Sequence, residues 1–320
     1  MRNLRALSRL LLLLLFCFCV SPESASAQSC TYAVAPTLDF GSVLGAPVPQ
    51  IDVTSTISVR CTGPILGTLP TLVCLSIPAG TAGSSISDRR IATGGHSVQY
   101  QIYMDAARTQ IWGALGESSP PRAVNFATLS GTQTQHITVY GRVFAGQGGK
   151  SVGTYLSDLT PIQARATTYL LFAPNCTAVS SAPTTLGTMT SRLVINPNCS
   201  ITANALDFGS VTGTGSVTAS SNLSATCTLN AAYAIALDGG TVNGDVNARR
   251  LKLDAGAETI EYQLYRDSAR TLIWGDTPGM TVAGTGSGTT QSIPVFGEVL
   301  TQGVKPPGVY RDTITATITF

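Results

Sequence analysis

One long stretch of this chain occurs twice. Residues 99–114 read QYQIYMDAARTQIWGA, and about 160 residues later residues 261–276 read EYQLYRDSARTLIWGD. A pattern of that length and separation requires two domains of one kind, not a single domain of 320 residues. Each copy begins with alternation. Tyr100, Ile102 and Met104 fall on one face, as do Tyr262, Leu264 and Arg266, while Gln101, Tyr103, Gln263 and Tyr265 fall on the other. A period of two, rich in Tyr and Ile, predicts a strand. The strand runs into a polar bend, 105–109 and 267–271, and then a short apolar piece ending at Trp112 and Trp274. An aspartate that opens a bend accepts from nearby backbone N–H groups, and Arg108 and Arg270 are placed to pair with Asp105 and Asp267. The unit reads as a structural corner.

Other pieces recur in the same order. Leu38-Asp39-Phe40-Gly41-Ser42-Val43 returns as Leu206-Asp207-Phe208-Gly209-Ser210-Val211, and Arg89-Arg90 as Arg249-Arg250. Val139-Tyr140-Gly141 matches Val295-Phe296-Gly297, and Gly153-Thr154-Tyr155 matches Gly308-Val309-Tyr310. With the repeated Tyr/Asp/Arg/Trp string, these pieces resemble the spore coat protein U family of secreted β-proteins, which includes pilin subunits of archaic chaperone-usher pili. The resemblance covers nearly the whole chain after residue 27, and the C-terminal copy is the more faithful. It implies an all-β chain with two immunoglobulin-like β-sandwich domains in tandem, the C-terminal one an incomplete pilin-type sandwich.

Residues 1–27 look like a secretory signal. Arg2, Arg5 and Arg9 form the positive end, 10–20 the apolar run, and Ala25-Ser26-Ala27 a small-residue cleavage site. The expected boundaries are 1–27 for the signal peptide, 28–183 for an N-terminal head domain, 184–197 for a linker or donor-like strand, and 198–320 for a C-terminal pilin domain. Only 11% of residues are charged and the net charge is +2 with no basic stripe, which argues against nucleic acid as a partner. Of eight cysteines, Cys17 and Cys19 lie in the signal, and the remaining six in an exported chain predict disulfides. Cys30 and Cys61 flank the first LDFGSV as Cys199 and Cys227 flank the second. The expected pairs are therefore Cys30–Cys61, Cys199–Cys227 and, from what is left, Cys74–Cys176.

In the first domain, strands are expected at 51–60, 72–77, 97–104, 134–144 and 155–171, joined by Gly- and Pro-rich turns. Three connections, 63–72, 113–126 and 144–150, carry apolar residues that a solvated loop does not need. Ile65, Leu66, Leu69 and Leu115 either tuck beneath their loops or form exposed tips that bind a surface. In the second domain the last stretch alternates, with Ile314, Ala316, Ile318 and Phe320 expected toward the core and the intervening threonines outward.

Between the domains, Met189, Ser191, Leu193 and Ile195 share one face of an extended strand, with Leu186 earlier. In single-domain pilins of the resembling family, the segment ahead of the first cysteine completes the sheet of the neighbouring subunit. Here a domain stands before it, so Leu186, Met189, Leu193 and Ile195 are expected to complete the first domain of their own chain. Only Gln28 and Ser29 precede Cys30 after the signal, and two residues span at most about 7 Å, too short to donate a strand. The resemblance places such a subunit at the fibre's distal end, receiving a strand along Ile314, Ala316, Ile318 and Phe320.

No catalytic arrangement stands out, and an enzyme is not expected. Without a CxxC pair, and with His96 and His136 far apart, neither a metal nor another cofactor is expected. The resulting expectation is a tip subunit, and the adhesin, of a chaperone-usher pilus mediating surface attachment and biofilm formation by donor-strand complementation. Its implied partners are a periplasmic chaperone, an outer-membrane usher, a neighbouring pilin subunit and an unknown surface or glycan. Its implied location is the periplasm in transit and then the cell surface. Two other roles stay open: a structural adaptor or spore-coat shell protein without ligand binding, and a carbohydrate-binding module using an aromatic shelf of Tyr32, Tyr169 or Phe126.

Overall fold

The computed structural model describes residues 28–63, 69–127, 131–211 and 215–320. The expected signal peptide, and Ile65 and Leu66, lie outside the described residues. The chain is nearly all β. The first domain contains β1 (Ser29–Val34), β2 (Thr37–Leu44), β3 (Ile51–Gly63), β4 (Thr71–Ser76) and β5 (Arg89–Thr93). It continues with β6 (His96–Tyr103), β7 (Arg122–Phe126), β8 (Gly131–Val143), β9 (Gly153–Thr168) and β10 (Thr184–Asn196). The strands run in the order β1-β3-β8-β6-β5-β9-β10-β2, with β4 joined to β7 and β9. Through β9 the sheet folds over on itself: Leu156 pairs with β5, whereas 163–168 pair with β4. Alternate residues of these strands, with Trp112 from the β6–β7 connection, enclose one core that includes Leu38, Ile57, Val73, Tyr100 and Leu193.

The second domain repeats the plan. It contains β11 (Cys199–Ala203), β12 (Val217–Cys227), β13 (Ala232–Leu237), a short helix α1 (Gly240–Asn243), β14 (Arg250–Leu253) and β15 (Thr259–Tyr265). It ends with β16 (Val282–Thr285), β17 (Thr290–Val299), β18 (Tyr310–Arg311) and β19 (Ala316–Thr319). One sheet has the order β11-β12-β17-β15-β14-β18 and faces a second of order β16-β13-β19. The final stretch, expected as a single strand, is two short ones that serve different sheets, with 312–315 outside both ladders.

Buried arginines, not only apolar contacts, hold the duplicated unit together. Arg89 is fully buried and donates to Gln101 Oε1 at 2.6 Å and to the carbonyls of Ile77 and Trp112 at 2.8 Å. Arg249 does the same with Gln263 Oε1, at 2.6 Å, and the carbonyls of Leu237 and Trp274. Burial lowers the Arg89 pKa to about 10, which leaves it charged at neutral pH. Because Gln101 and Gln263 serve these arginines, the second face of the repeated strand is buried as well as the first. The tryptophans bind across the sandwich: Trp112 Nε1 donates to the Leu75 carbonyl and Trp274 Nε1 to that of Ile235.

The expected Asp–Arg pairs at the corner are not formed. Asp105 accepts from the backbone N–H groups of Thr109 and Gln110, at 3.0 and 2.8 Å, and Asp267 from those of Thr271 and Leu272. Arg108 and Arg270 sit at positive φ, 58° and 57°, which turns them away. They donate instead to the carbonyls of Gly141 and Gly297, over the rings of Tyr140 and Phe296. Those two glycines allow the Leu-Asp-Phe segments to cross closely. A Cβ on Gly141 would come within 3.1 Å of Leu38 and Phe40, and one on Gly297 within 3.0 Å of Leu206 and 2.9 Å of Phe208. Among the described residues the disulfides are Cys30–Cys61, Cys74–Cys176 and Cys199–Cys227.

Candidate strand-binding groove

In the first domain β10 lies between β9 and β2. It runs antiparallel to β9, with Met189 opposite Leu159, Ser191 opposite Ser157, Leu193 opposite Tyr155 and Ile195 opposite Gly153. It runs parallel to β2, with Ser191 opposite Leu38. Pairing on both sides gives its backbone groups partners within the fold, while the alternate side chains point inward. Met189, Ser191, Leu193 and Ile195 are fully buried, and Leu186 is half-buried at the core's margin. Burying Met189, Leu193 and Ile195 is worth roughly 5–9 kcal/mol in apolar transfer, an upper figure because unfolded chains already bury some area. The one polar residue on the inward face is satisfied: Ser191 Oγ donates to the Tyr100 phenol oxygen at 3.0 Å. On the outer face Arg192 pairs with Asp39 at 3.2 Å, and Thr190 Oγ1 donates to Asp158.

The corresponding place in the second domain holds no strand among the described residues. Residues 204–211, which repeat β2, belong to no strand. Leu206 and Phe208 are only half-buried, whereas their counterparts Leu38 and Phe40 are buried. Ile314, Ala316 and Ile318 are likewise half-buried, whereas Leu159, Ile162 and Ala164 on β9 are buried. The difference follows from the missing neighbour, because the two sequences are alike here. What remains is a groove with an inner space of about 370 Å³ lined by Leu206, Phe208, Leu264, Asp312, Ile314 and Ala316. It continues into a wider space of about 1130 Å³ along 205–211 and 299–313. Phe320, expected on the core face, is 53% exposed. The β13–β19 ladder ends at Thr319, so Phe320 lies just beyond it.

Inside the groove stands a polar group that sequence reasoning missed. Tyr262 donates its hydroxyl hydrogen to Asp312 Oδ2 at 2.8 Å. Burial, and then the Asp312 carboxylate, push the Tyr262 phenol far above its ordinary pKa, so it stays protonated. Asp312 Oδ1 accepts from the backbone N–H groups of Thr241, Val242 and Thr313 and from the Thr241 hydroxyl. Alternation alone could not mark Asp312, because the carboxylate interrupts the apolar face on which it lies.

The apolar loop positions separate. Leu69 is 42% exposed and Leu115 is half-buried. The stretch expected to extend the last strand to residue 171 leaves the sheet after Thr168 instead. Residues 169–175 form a loop that presents Leu170, Leu171 and Phe172 at 76, 84 and 87% exposure. The Tyr169 N–H donates to the Pro70 carbonyl, which sets this loop beside Leu69, and Cys176 ties its far end to Cys74. Phe126, one of the three candidates for a glycan-binding shelf, is fully buried, and Tyr32 and Tyr169 are half-buried. Among the described residues no cluster of His, Cys, Asp and Glu is arranged to hold a metal ion.

Comparison with known proteins gives the following. A region of 99 residues is 34% identical to "Protein U" of Myxococcus xanthus, covering 29% of this chain and 55% of that protein, so the chain spans about half of that relative's length. A chain from the CsuC–CsuE chaperone–tip adhesion subunit complex of Acinetobacter baumannii archaic Csu pili superposes with a TM-score of 0.46 at 17% identity. That superposition covers 91% of this chain and 100% of the other. The CupB6 tip adhesin of Pseudomonas aeruginosa superposes with a TM-score of 0.35 at 13% identity, covering 91% and 92% of the two chains. The Spore Coat Protein U domain matches residues 14–160 and again residues 185–317, and the chain therefore belongs to the Spore Coat Protein U domain family, with two copies in tandem.

Proposed function

We propose that this protein is the tip subunit of a chaperone-usher pilus, receiving a strand in its second domain and attaching to surfaces through its first. One observation carries the reading. The same groove occurs twice, closed in the first domain by β10 and open in the second. An open groove leaves apolar side chains and strand edges without partners, which in a free protein invites aggregation. The partners that relieve it are a periplasmic chaperone during export and then, at an outer-membrane usher, the strand of a neighbouring subunit. The mode is β-strand addition, with main-chain hydrogen bonds for affinity and alternate side chains in pockets.

The first domain is closed from within its own chain and so has no place for another subunit's strand, which supports its standing beyond the last junction of the fibre. Its exposed Leu170-Leu171-Phe172 loop, set beside Leu69, supports an adhesive role, because contiguous apolar surface of this kind marks interaction sites. Surface attachment and biofilm formation follow from that role. The test is to label intact fibres with an antibody against the first domain and locate it by electron microscopy. One label at the distal end of each fibre is expected. Label along the whole shaft would overturn the tip assignment.

A further inference from the structure

We infer that the strand closing the second domain is read at one polar position: it presents a serine or threonine hydroxyl opposite Asp312, flanked two residues away on each side by large apolar residues. This rests on the proposed strand-acceptor role and specifies the partner. The occupant is a strand from a second polypeptide, one that directly precedes the first cysteine strand of a further domain of this kind. That choice follows from β10 itself, which fills the first domain and leads within three residues into Cys199 of the next.

The first domain supplies the register. There Met189, Ser191, Leu193 and Ile195 face Leu159, Ser157, Tyr155 and Gly153. The repeat Gly153-x-Tyr155-x-Ser157-x-Leu159 returns as Gly308-x-Tyr310-x-Asp312-x-Ile314. Three of the four places keep their character, and the fourth exchanges a serine hydroxyl for a carboxylate. The buried tyrosine facing that place is also kept, as Tyr100 and Tyr262. In the first domain its phenol oxygen accepts from Ser191 on the inserted strand. In the second, Tyr262 gives its own proton to Asp312 Oδ2, so the phenol oxygen is left able to accept.

The carboxylate is built in, not incidental. Four donors converge on Oδ1, three of them backbone N–H groups. Gly240 lies so close that a Cβ there would collide with the carboxylate. Its hydrogen bonds to Thr241, Val242, Thr313 and Tyr262 hold Asp312 in place when a strand arrives. Covering the groove removes water from this pair and raises the cost of any mismatch. A hydroxyl supplies the hydrogen that the phenol oxygen accepts. An alanine leaves that oxygen buried and unpaired. An aspartate brings a second carboxylate against Asp312 in a low-dielectric space.

The experiment uses the full chain and labelled synthetic peptides of β10, residues 188–196, followed by fluorescence anisotropy. The parent peptide and its Ser191→Thr form are expected to bind alike. The Ser191→Ala form is expected to bind several-fold more weakly and the Ser191→Asp form at least about tenfold more weakly. In protein carrying Asp312→Ser, which restores the first-domain arrangement, the penalty for Ser191→Asp is expected to shrink. If that variant fails to fold, the ranking of the four peptides on the unaltered protein decides alone. Equal binding by the serine, alanine and aspartate peptides overturns the polar position and leaves the open groove standing. Binding by none of them overturns both this inference and the acceptor reading beneath it.

Discussion

The Ser191 hydroxyl donates to the Tyr100 phenol oxygen at 3.0 Å, joining the segment that leads into the second domain to the centre of the first domain's core. A connecting segment is thereby a structural strand of the domain it leaves. Leu193→Ala removes a fully buried side chain from that strand and is expected to destabilise the first domain by about 2–5 kcal/mol. Urea unfolding followed by a probe in the first domain checks it. A loss below about 0.5 kcal/mol, the level of a surface change, would contradict the placement of β10.

Arg249 is expected to be irreplaceable in the second domain. It serves Gln263 Oε1 and the carbonyls of Leu237, Asp238 and Trp274 through one planar fork. Arg249→Met leaves several buried acceptors unpaired and is expected to cost at least about 3 kcal/mol. Arg249→Lys is expected to recover little of it, because an ammonium on a flexible stem does not reproduce the fork. Denaturant titration of the two variants is the check, and full rescue by lysine would contradict the account.

The corner aspartates predict an acid limb of stability. The Gln110 N–H, then Thr109, hold the Asp105 carboxyl below its ordinary value. A depressed acid contributes stability that is present above its unfolded pKa of about 3.9 and lost as pH falls through the folded value. Asp105→Asn is therefore expected to lower the urea midpoint at pH 7, with the gap to the unaltered protein closing below about pH 4. A gap that is constant from neutral to acidic pH would show that the carboxylate's charge plays no part.

Leu170, Leu171 and Phe172 support no core, so changing all three to serine is expected to leave stability within about 0.5 kcal/mol while abolishing attachment to apolar surfaces. Cys74→Ala with Cys176→Ala is expected to act differently. That bridge closes a loop of sequence separation 102, and its loss is expected to cost about 2–5 kcal/mol as well as attachment. Thermal melts and adhesion assays on the two sets separate anchoring from contact. Normal attachment by the triple serine variant would remove this loop from the adhesive surface.

Much of this architecture was legible in the residues. The duplicated strand and corner fixed two like domains, and the alternation of Met189, Ser191, Leu193 and Ile195 marked β10 without any knowledge of its partners. Other features were hidden for physical reasons. Arg89 and Arg249 stood out only as members of a recurring Arg-Arg pair, because nothing local reveals that several buried acceptors converge on them. Leu170 and Leu171 read as the end of a strand, because an apolar run has the same composition whether it enters a core or leaves one. The Leu-Asp-Phe-Gly-Ser-Val repeat is a strand in one domain and none in the other. That difference depends on β10, a neighbour far away in sequence, and no local pattern records it.

The most direct test of the central claim is hydrogen–deuterium exchange on the free protein, comparing backbone amides of 153–164 with those of 308–319. The account predicts strong protection in the first set, which β10 covers, and rapid exchange in those amides of the second that β13 and β14 leave unbonded, slowing when the β10 peptide is added. Equal protection of the two sets in the free protein would mean that the second groove is already closed, and would contradict the account.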